Sequence, residues 1–336
     1  FIIIDKTRLA KNSIINKVLN SFDTYLLEKD NILIENNYIE LEKLNSNLSF
    51  ALGAGCSTNS NISDWNRLSE ALGFELLYNV VGERDSIYKN MFITNELSKR
   101  IFDCYDKTSA LDAIYNSYIS SPSVSKLEYF DSIKKVLYMS FDNPNDANKP
   151  LLTSINNCIK RKNIKEIITY NFDSVLEQNY DNTYNSSTKE ILDSETHIGN
   201  CKVNHVHGFI PYDYDAKTPV NNFVFTDKEY YDNMVDPNTF CNRKQREIIN
   251  KYNVIFVGVS FTDANMKQHL RERKENENTN KIFGFLRLPN FDGKDKDVLL
   301  MINKYKLIQQ NYFNSLGVKI LWVNDYSEIP NCIDRI

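Results

Sequence analysis

An α/β fold built on a parallel sheet, with helices on both faces and an inserted helical module, is what this sequence predicts, and three observations predict it. Two short apolar runs end in glycine and pass directly into polar, helix-starting sequence: Leu48-Ser49-Phe50-Ala51-Leu52 before Gly53, and Val254-Ile255-Phe256-Val257 before Gly258. Continuous apolar runs of this length suit parallel strands covered on both faces. Further strand-length runs, at 164–169, 202–206, 223–225, 281–286 and 318–323, alternate with amphipathic stretches of helix length at 64–79, 150–162, 173–180, part of 231–252, 263–274 and 294–316. That alternation is the signature of a sheet with crossover helices. Finally, the rhythm breaks between about 80 and 149, where 87–101, 109–119 and 124–139 read as helices with no buried strand among them. This interval is read as a helical insertion, closed by the turn-rich stretch 141–150.

The domain division follows: an N-terminal helical segment over 1–47 and a catalytic domain over 48–336 carrying the insertion at about 80–149. In the N-terminal segment Leu9, Ile14, Ile15, Val18, Leu19 and Phe22 recur at helical spacing. The opening run Phe1-Ile2-Ile3-Ile4 is too short for a signal sequence or a membrane span, so a cytoplasmic protein without membrane contact is expected. The chain has 336 residues, a net charge of -4 and Lys+Arg 40 against Asp+Glu 44, with 42% hydrophobic residues. This composition is globular, and it lacks the basic field that drives non-specific nucleic-acid binding, so no direct nucleic-acid contact is expected. The cysteines, Cys56, Cys104, Cys158, Cys201, Cys241 and Cys332, form no Cys-x-x-Cys pair, which argues against a disulfide framework and against a structural zinc.

Four motifs stand at predicted strand ends. Gly53-Ala54-Gly55-Cys56-Ser57 follows the first strand, with Asp64 and Trp65 opening the next helix; glycines let the backbone turn tightly and approach a diphosphate, and free amides at a helix start favour an anion. A simple packing turn would need the same small residues. Thr169-Tyr170-Asn171-Phe172-Asp173 places an amide and a carboxylate at a carboxyl edge, where open α/β sheets bind ligands, although Asp173 also suits a helix cap. His205-Val206-His207-Gly208 sets two of the chain's four histidines, groups fitted to proton transfer near neutral pH, before a turn. Alternation predicts both on one strand face; a satisfied core pair or a metal half-site is the competing reading, the latter poorer because His197 and Cys201 complete no ligand spacing. Gly258-Val259-Ser260-Phe261-Thr262-Asp263 offers a hydroxyl and a carboxylate for ribose or phosphate, or a cap for the following helix.

In this order the four motifs resemble the sirtuin family, whose Gly-Ala-Gly-x-Ser, Thr-x-Asn-x-Asp, His-Gly and Gly-x-Ser elements surround NAD on a Rossmann-like sheet. Protein-deacylating sirtuins carry a zinc ribbon of two Cys-x-x-Cys pairs between the last two elements, whereas 208–258 here contains Cys241 alone. The zinc ribbon is therefore expected to be missing, and no metal is expected. Where the family continues as Gly-Ile-Pro-Asp-Phe-Arg, this chain has Asn61-Ile62-Ser63-Asp64-Trp65-Asn66-Arg67-Leu68. That variant, the inserted helices and the tail Leu316-Gly317-Val318-Lys319-Ile320-Leu321-Trp322 are similar to the sirtuin-like domains of bacterial antiphage systems of the Thoeris type, which hydrolyse NAD.

The resemblance implies an NAD+ glycohydrolase yielding nicotinamide and ADP-ribose, with NAD+ as substrate and NAD depletion in abortive infection as the outcome. It implies catalytic roles for Asn171, holding ribose or water, Asp173, reading the carboxamide, and His207, as general base, with His205 behind them. Gly53, Ala54, Gly55 and Ser57 would cradle the diphosphate. Asp64, Thr169, Gly258, Ser260 and Asp263 would contact the rest of the dinucleotide. Two other classes compete: a deacylase or ADP-ribosyltransferase acting on protein, and a catalytically silent NAD or ADP-ribose-binding subunit. A site that destroys a central cofactor needs restraint, so a homo-oligomer and a second defence protein, such as an ATPase, an Argonaute-like protein or a phage trigger, are expected partners.

Overall fold

The computed structural model describes residues 36–44, 47–57, 60–81, 87–119, 126–141, 149–181, 194–214, 220–276, 278–289 and 296–336. The helix expected over 6–30 lies outside the described residues. Seven strands form one sheet: β1 (Leu48–Leu52), β2 (Glu166–Thr169), β3 (Glu195–Ile198), β4 (Cys201–His205), β5 (Asn253–Val257), β6 (Ile282–Arg287) and β7 (Val318–Val323), in the order β3-β4-β2-β1-β5-β6-β7. Every neighbouring pair is parallel except β3 with β4. The strand order reverses between β1 and β5, so the loops leaving these two strands diverge from a common crevice.

Alternating side chains of the buried strands feed two cores. Phe50, Leu52, Ile167, Val203, Ile255, Val257, Phe283 and Leu321 face one side. Ala51, Ile168, Val254, Phe256, Ile282, Val318 and Ile320 face the other. Burial on both faces is why these strands read as unbroken apolar runs. The interval after β1 holds α1 (Trp65–Val81), α2 (Ile87–Cys104), α3 (Lys107–Ile119) and α4 (Lys126–Tyr138), with no strand among the described residues. Leu68, Leu72, Leu111, Ile114, Phe130 and Ile133 of these helices join the same core as Phe50, so the insertion covers a sheet face. The chain then continues through α5 (Pro150–Lys162) and α6 (Val175–Tyr180), and later α7 (Asp227–Val235), α8 (Phe240–Lys251), α9 (Ala264–Glu275), α10 (Lys296–Ser315) and α11 (Ile329–Asp334). A short helix over 36–42 closes the β7 edge: Asn37 Nδ2 donates to the Ile320 carbonyl at 3.0 Å and the Tyr38 hydroxyl to that of Trp322 at 2.7 Å.

Three details depart from the sequence reading. Residues 223–225 are not a strand; Phe223 and Phe225 serve as core aromatics, with Phe225 4.8 Å from Trp65 and 5.6 Å from Phe172 between ring centroids. A Thr226–Glu229 capping box immediately starts α7, leaving no length for a ladder. The edge strand β3 was not anticipated, because Glu-Thr-His-Ile is short and half polar and owes its conformation to the hairpin with β4 through Gly199, at φ +56°. The helical stretch at 231–252 is divided by Asp236-Pro237, since proline cannot donate into a helix, and Thr239 recaps α8.

Candidate active site

The loops after β1 and β5 meet backbone to backbone at the reversal of strand order. The Gly53 amide donates to the Val257 carbonyl at 2.9 Å, and the Gly55 amide to that of Gly258 at 3.0 Å. A Cβ on Gly53 would stand 2.5 Å from the Gly258 oxygen, and one on Gly258, whose φ is +67°, would stand 2.5 Å from the Cys56 nitrogen. Glycine at these positions therefore answers a packing demand, whatever ligand the loop holds. The Cys56 and Ser57 amides are also taken, by the Gly53 and Ala54 carbonyls at 2.9 and 3.0 Å, within the 3₁₀ turn Ala54–Cys56. Burial pushes the Cys56 thiol up to about 12, with the Asp173 charge adding to the shift against the Gly53 backbone contact, so this cysteine is a packing group and no nucleophile.

Beneath this turn the end of β2 delivers a directed hydrogen-bond chain. Thr169 Oγ1 accepts from the Asn171 amide at 3.1 Å, which bends the main chain beyond the strand. Asn171 Nδ2 donates to the Gly53 carbonyl and to Ser57 Oγ, both at 3.1 Å, and Ser57 Oγ donates to Asp173 Oδ1, also at 3.1 Å. Because a carbonyl can only accept, the Gly53 contact decides which end of the amide is nitrogen. Asn171 Oδ1 is then left buried without a hydrogen-bond partner among the described residues. Asp173 Oδ1 also accepts the Val175 amide at 3.0 Å, so this carboxylate, one residue ahead of the N-cap Ser174, satisfies the first amide of α6 and joins the site together. Burial raises the Asp173 carboxyl to about 6, against the Val175 and Ser57 hydrogen bonds that lower it.

The two histidines diverge, contrary to the expectation of a shared face. Strand β4 ends at His205, and Val206 and His207 lie in the turn that Gly208 completes at φ +104°. His205 turns toward α6, with Nε2 2.8 Å from Glu177 Oε1 and Nδ1 2.9 Å from the Asn171 carbonyl oxygen. His207 turns toward α9: its Nε2 lies 3.3 Å from Asp263 Oδ2, a close approach short of an aligned hydrogen bond. Tyr170 and Tyr230 lie T-shaped to its ring, with centroids 5.2 and 5.6 Å away. Burial alone would raise the Asp263 carboxyl, but His207 and the Met266 and Asn265 amides hold it below the ordinary carboxylate range. Through Oδ1 the same carboxylate caps α9 at 2.8 and 3.1 Å, so the cap and the imidazole contact share one side chain.

The remaining candidates are placed less centrally. Asp64 caps α1, accepting the Arg67 amide at 2.9 Å. Ser260 is exposed and pairs with Thr262 at 2.8 Å. Ala54 is half-buried in the turn. Gly53, Ser57, Asn171 and Asp173 thus form one cluster at the carboxyl ends of the neighbouring strands β1 and β2, and His207 and Asp263 a second, reaching across from beyond the ends of β4 and β5, the strands that flank that pair. The sequence reading missed Tyr170 and Tyr230 as walls around His207, and Glu177 as the partner of His205; only Tyr170, inside a motif, was within reach. Among the described residues no group of three or more His, Cys, Asp and Glu side chains is arranged to hold a metal ion. Likewise no described helix is long and apolar enough to cross a membrane.

Strand order, crevice and carboxyl-edge polar cluster together define a Rossmann-like α/β domain with a candidate ligand site at its topological switch point. Residues 165–308 match the family model of the SIR2-like domain, and over this stretch the chain is sirtuin-like, a class tied to NAD. No curated protein matches the chain.

Proposed function

We propose that this chain is an NAD+ hydrolase, adding water across the nicotinamide–ribose bond to give nicotinamide, ADP-ribose and a proton. The observation that carries the reading is the Asn171 carboxamide, whose nitrogen is committed to Gly53 and Ser57 while its buried oxygen has no partner among the described residues and is free to accept from a ligand. A buried acceptor without a partner costs about 1–3 kcal/mol, a cost that a bound hydroxyl or water removes. NAD+ supplies a glycosidic bond whose cationic leaving group departs neutral as positive charge moves to the ribose. Asn171 Oδ1 orients the hydroxyl or water at that ribose. Asp173, anchored by Ser57 and Val175, reads the nicotinamide carboxamide. His207, oriented and electrostatically supported by Asp263, accepts the proton. With the Gly53, Gly55, Cys56 and Ser57 amides committed within the fold, the turn from Gly53 to Ser57 offers the diphosphate a close backbone approach without those amides, and the Gly258 to Ser260 loop takes its ribose. Asp64 lies on the nicotinamide side.

We further infer NAD depletion in antiphage defence, restrained by homo-oligomerisation or by a second defence protein. The Asp64-Trp65 variant of the first motif and the inserted helices support that setting.

Incubating the protein with NAD+ alone, with and without an acetyl-lysine peptide, tests the chemistry. Equimolar nicotinamide and ADP-ribose without the peptide is the expected result. Strict dependence on the peptide would transfer the site to a deacylase, and binding of NAD+ without turnover in an active defence complex would make the chain a silent subunit.

A further inference from the structure

Behind the proposed site lies a buried histidine–glutamate pair that the proposed chemistry does not use. His205 and Glu177 are 1% and 0% exposed. The His205 ring is bounded by an acceptor at each nitrogen: the Asn171 carbonyl oxygen 2.9 Å from Nδ1 and Glu177 Oε1 2.8 Å from Nε2. Glu177 Oε1 also accepts the Thr196 hydroxyl at 2.6 Å. A carbonyl oxygen cannot donate, so Nδ1 carries a proton. Nε2 facing a carboxylate oxygen then requires one further proton between them, on the ring or on the carboxyl. The pair is therefore neutral as a unit, and in either form the Nδ1–H to Asn171 bond is preserved.

We infer that this proton-sharing pair is a strut that fixes the Asn171 main chain, making His205 a positioning residue for Asn171 and no second base; the inference rests on Asn171 serving the proposed reaction. The strut ties β4 through His205, α6 through Glu177 and β3 through Thr196 to the single peptide that carries the Asn171 side chain. Main-chain carbonyl and side-chain nitrogen of Asn171 are thus held by separate elements, and the two restraints together aim Oδ1. Stability alone accounts poorly for the pair, because apolar residues of similar volume often replace buried ion pairs without loss. A group that must be held to a fraction of an ångström does account for it, since small misplacements of a reacting group are costly.

Two double variants separate positioning from mere packing. Glu177→Gln keeps the pocket neutral in both. Asn at 205 sets its amide nitrogen near the place of Nδ1, retaining the donor to Asn171, whereas Gln at 205 sets it near Nε2 and loses that donor. His205→Asn with Glu177→Gln is expected to keep NAD+ cleavage within about threefold of the Glu177→Gln single variant. His205→Gln with Glu177→Gln is expected to lose about tenfold or more in kcat with KM little changed. The second readout needs no turnover: the Asn171 side-chain amide protons should stay protected from hydrogen exchange in the first double variant and lose protection in the second. Equal losses in both variants, or equal protection in both, would overturn the strut. Absence of NAD+ cleavage by the unmodified protein, with the exchange difference intact, would sink the proposed reaction and leave the positioning of Asn171 standing.

Discussion

Asp173 carries the most informative electrostatic cost at the residue scale. Its carboxyl sits at about 6 in the fold against an ordinary 3.8, chiefly because burial penalises the charged form. The folded protein therefore binds this proton more readily than the unfolded chain, and stability from this group falls as pH rises from about 4 through 6, the full cost of about 3 kcal/mol being present above that window. Asp173→Asn retains an acceptor for Ser57 and Val175 while removing the buried charge. Its stability relative to the parent should accordingly be greater at pH 8 than at pH 5, by about 1 kcal/mol, in urea unfolding. A difference that is flat or grows toward pH 5 would contradict the burial argument. Burial also works on Glu177, yet the His205 ring and Thr196 outweigh it and hold that carboxyl below its usual range. Its effect falls at more acid pH and is common to both proteins. For catalysis, Asn171→Ala and His207→Ala are each expected to lower the rate of NAD+ cleavage by about two orders of magnitude with circular dichroism unchanged, the size usual for a positioned proton-transfer or charge-stabilising group. A well-folded His207→Ala protein of full activity would remove His207 from the reaction.

Loops, at the scale of elements, decide more than strands do. The strands β1 and β7 and the helix α5 coincide with the segments expected from hydrophobic pattern, because each is continuous in sequence and buried by its own periodicity. The contact between the β1 and β5 loops has no such signature, as it joins positions two hundred residues apart through backbone atoms. Gly258 is its keystone: a left-handed conformation and a Cβ site within 3.0 Å of Cys56 and Gly55 leave a side chain nowhere to go. Gly258→Ala should cost roughly 3 kcal/mol, combining the left-handed penalty with overpacking. Gly317→Ala is the control, since φ there is +72° but the nearest atom, Lys274 Cβ, lies at 3.4 Å; about 1 kcal/mol is expected. Comparable urea midpoints for the two variants would show that the loops separate freely.

For the whole molecule, the insertion both covers the sheet and presents an apolar exterior. Helix α2 packs Ile101 and Phe102 against the core and buries Thr94 and Ser98, yet exposes Phe92 at 67% and Leu97 at 45%, which leaves apolar side chains on its outer face. This supports the proposed homo-oligomer. Light scattering at micromolar concentration should report a mass above that of one chain, and Phe92→Ser with Leu97→Ser should reduce that mass without lowering the melting temperature, because neither side chain supports the core. A monomeric parent protein with full activity on NAD+ would exclude this mode of restraint.

The sequence by itself determined the alternation of strands and helices and the four polar motifs at strand ends. These are local properties, written in the period of apolar residues and in turn-forming residues beside them. Tertiary structure alone decided how the motifs divide their labour. His205 and His207 stand two residues apart and read as equivalents, but the end of β4 and the turn at Gly208 send one to Glu177 and the other to Asp263. Asp173 and Asp263 both read as helix caps; Asp263 is one, Asp173 accepts the first α6 amide from one residue ahead of the N-cap Ser174, and only the packing of distant strands brings one to Ser57 and the other to an imidazole. Chemical role here depends on which groups the sheet makes neighbours, and strand order in space is a property no local window of sequence contains.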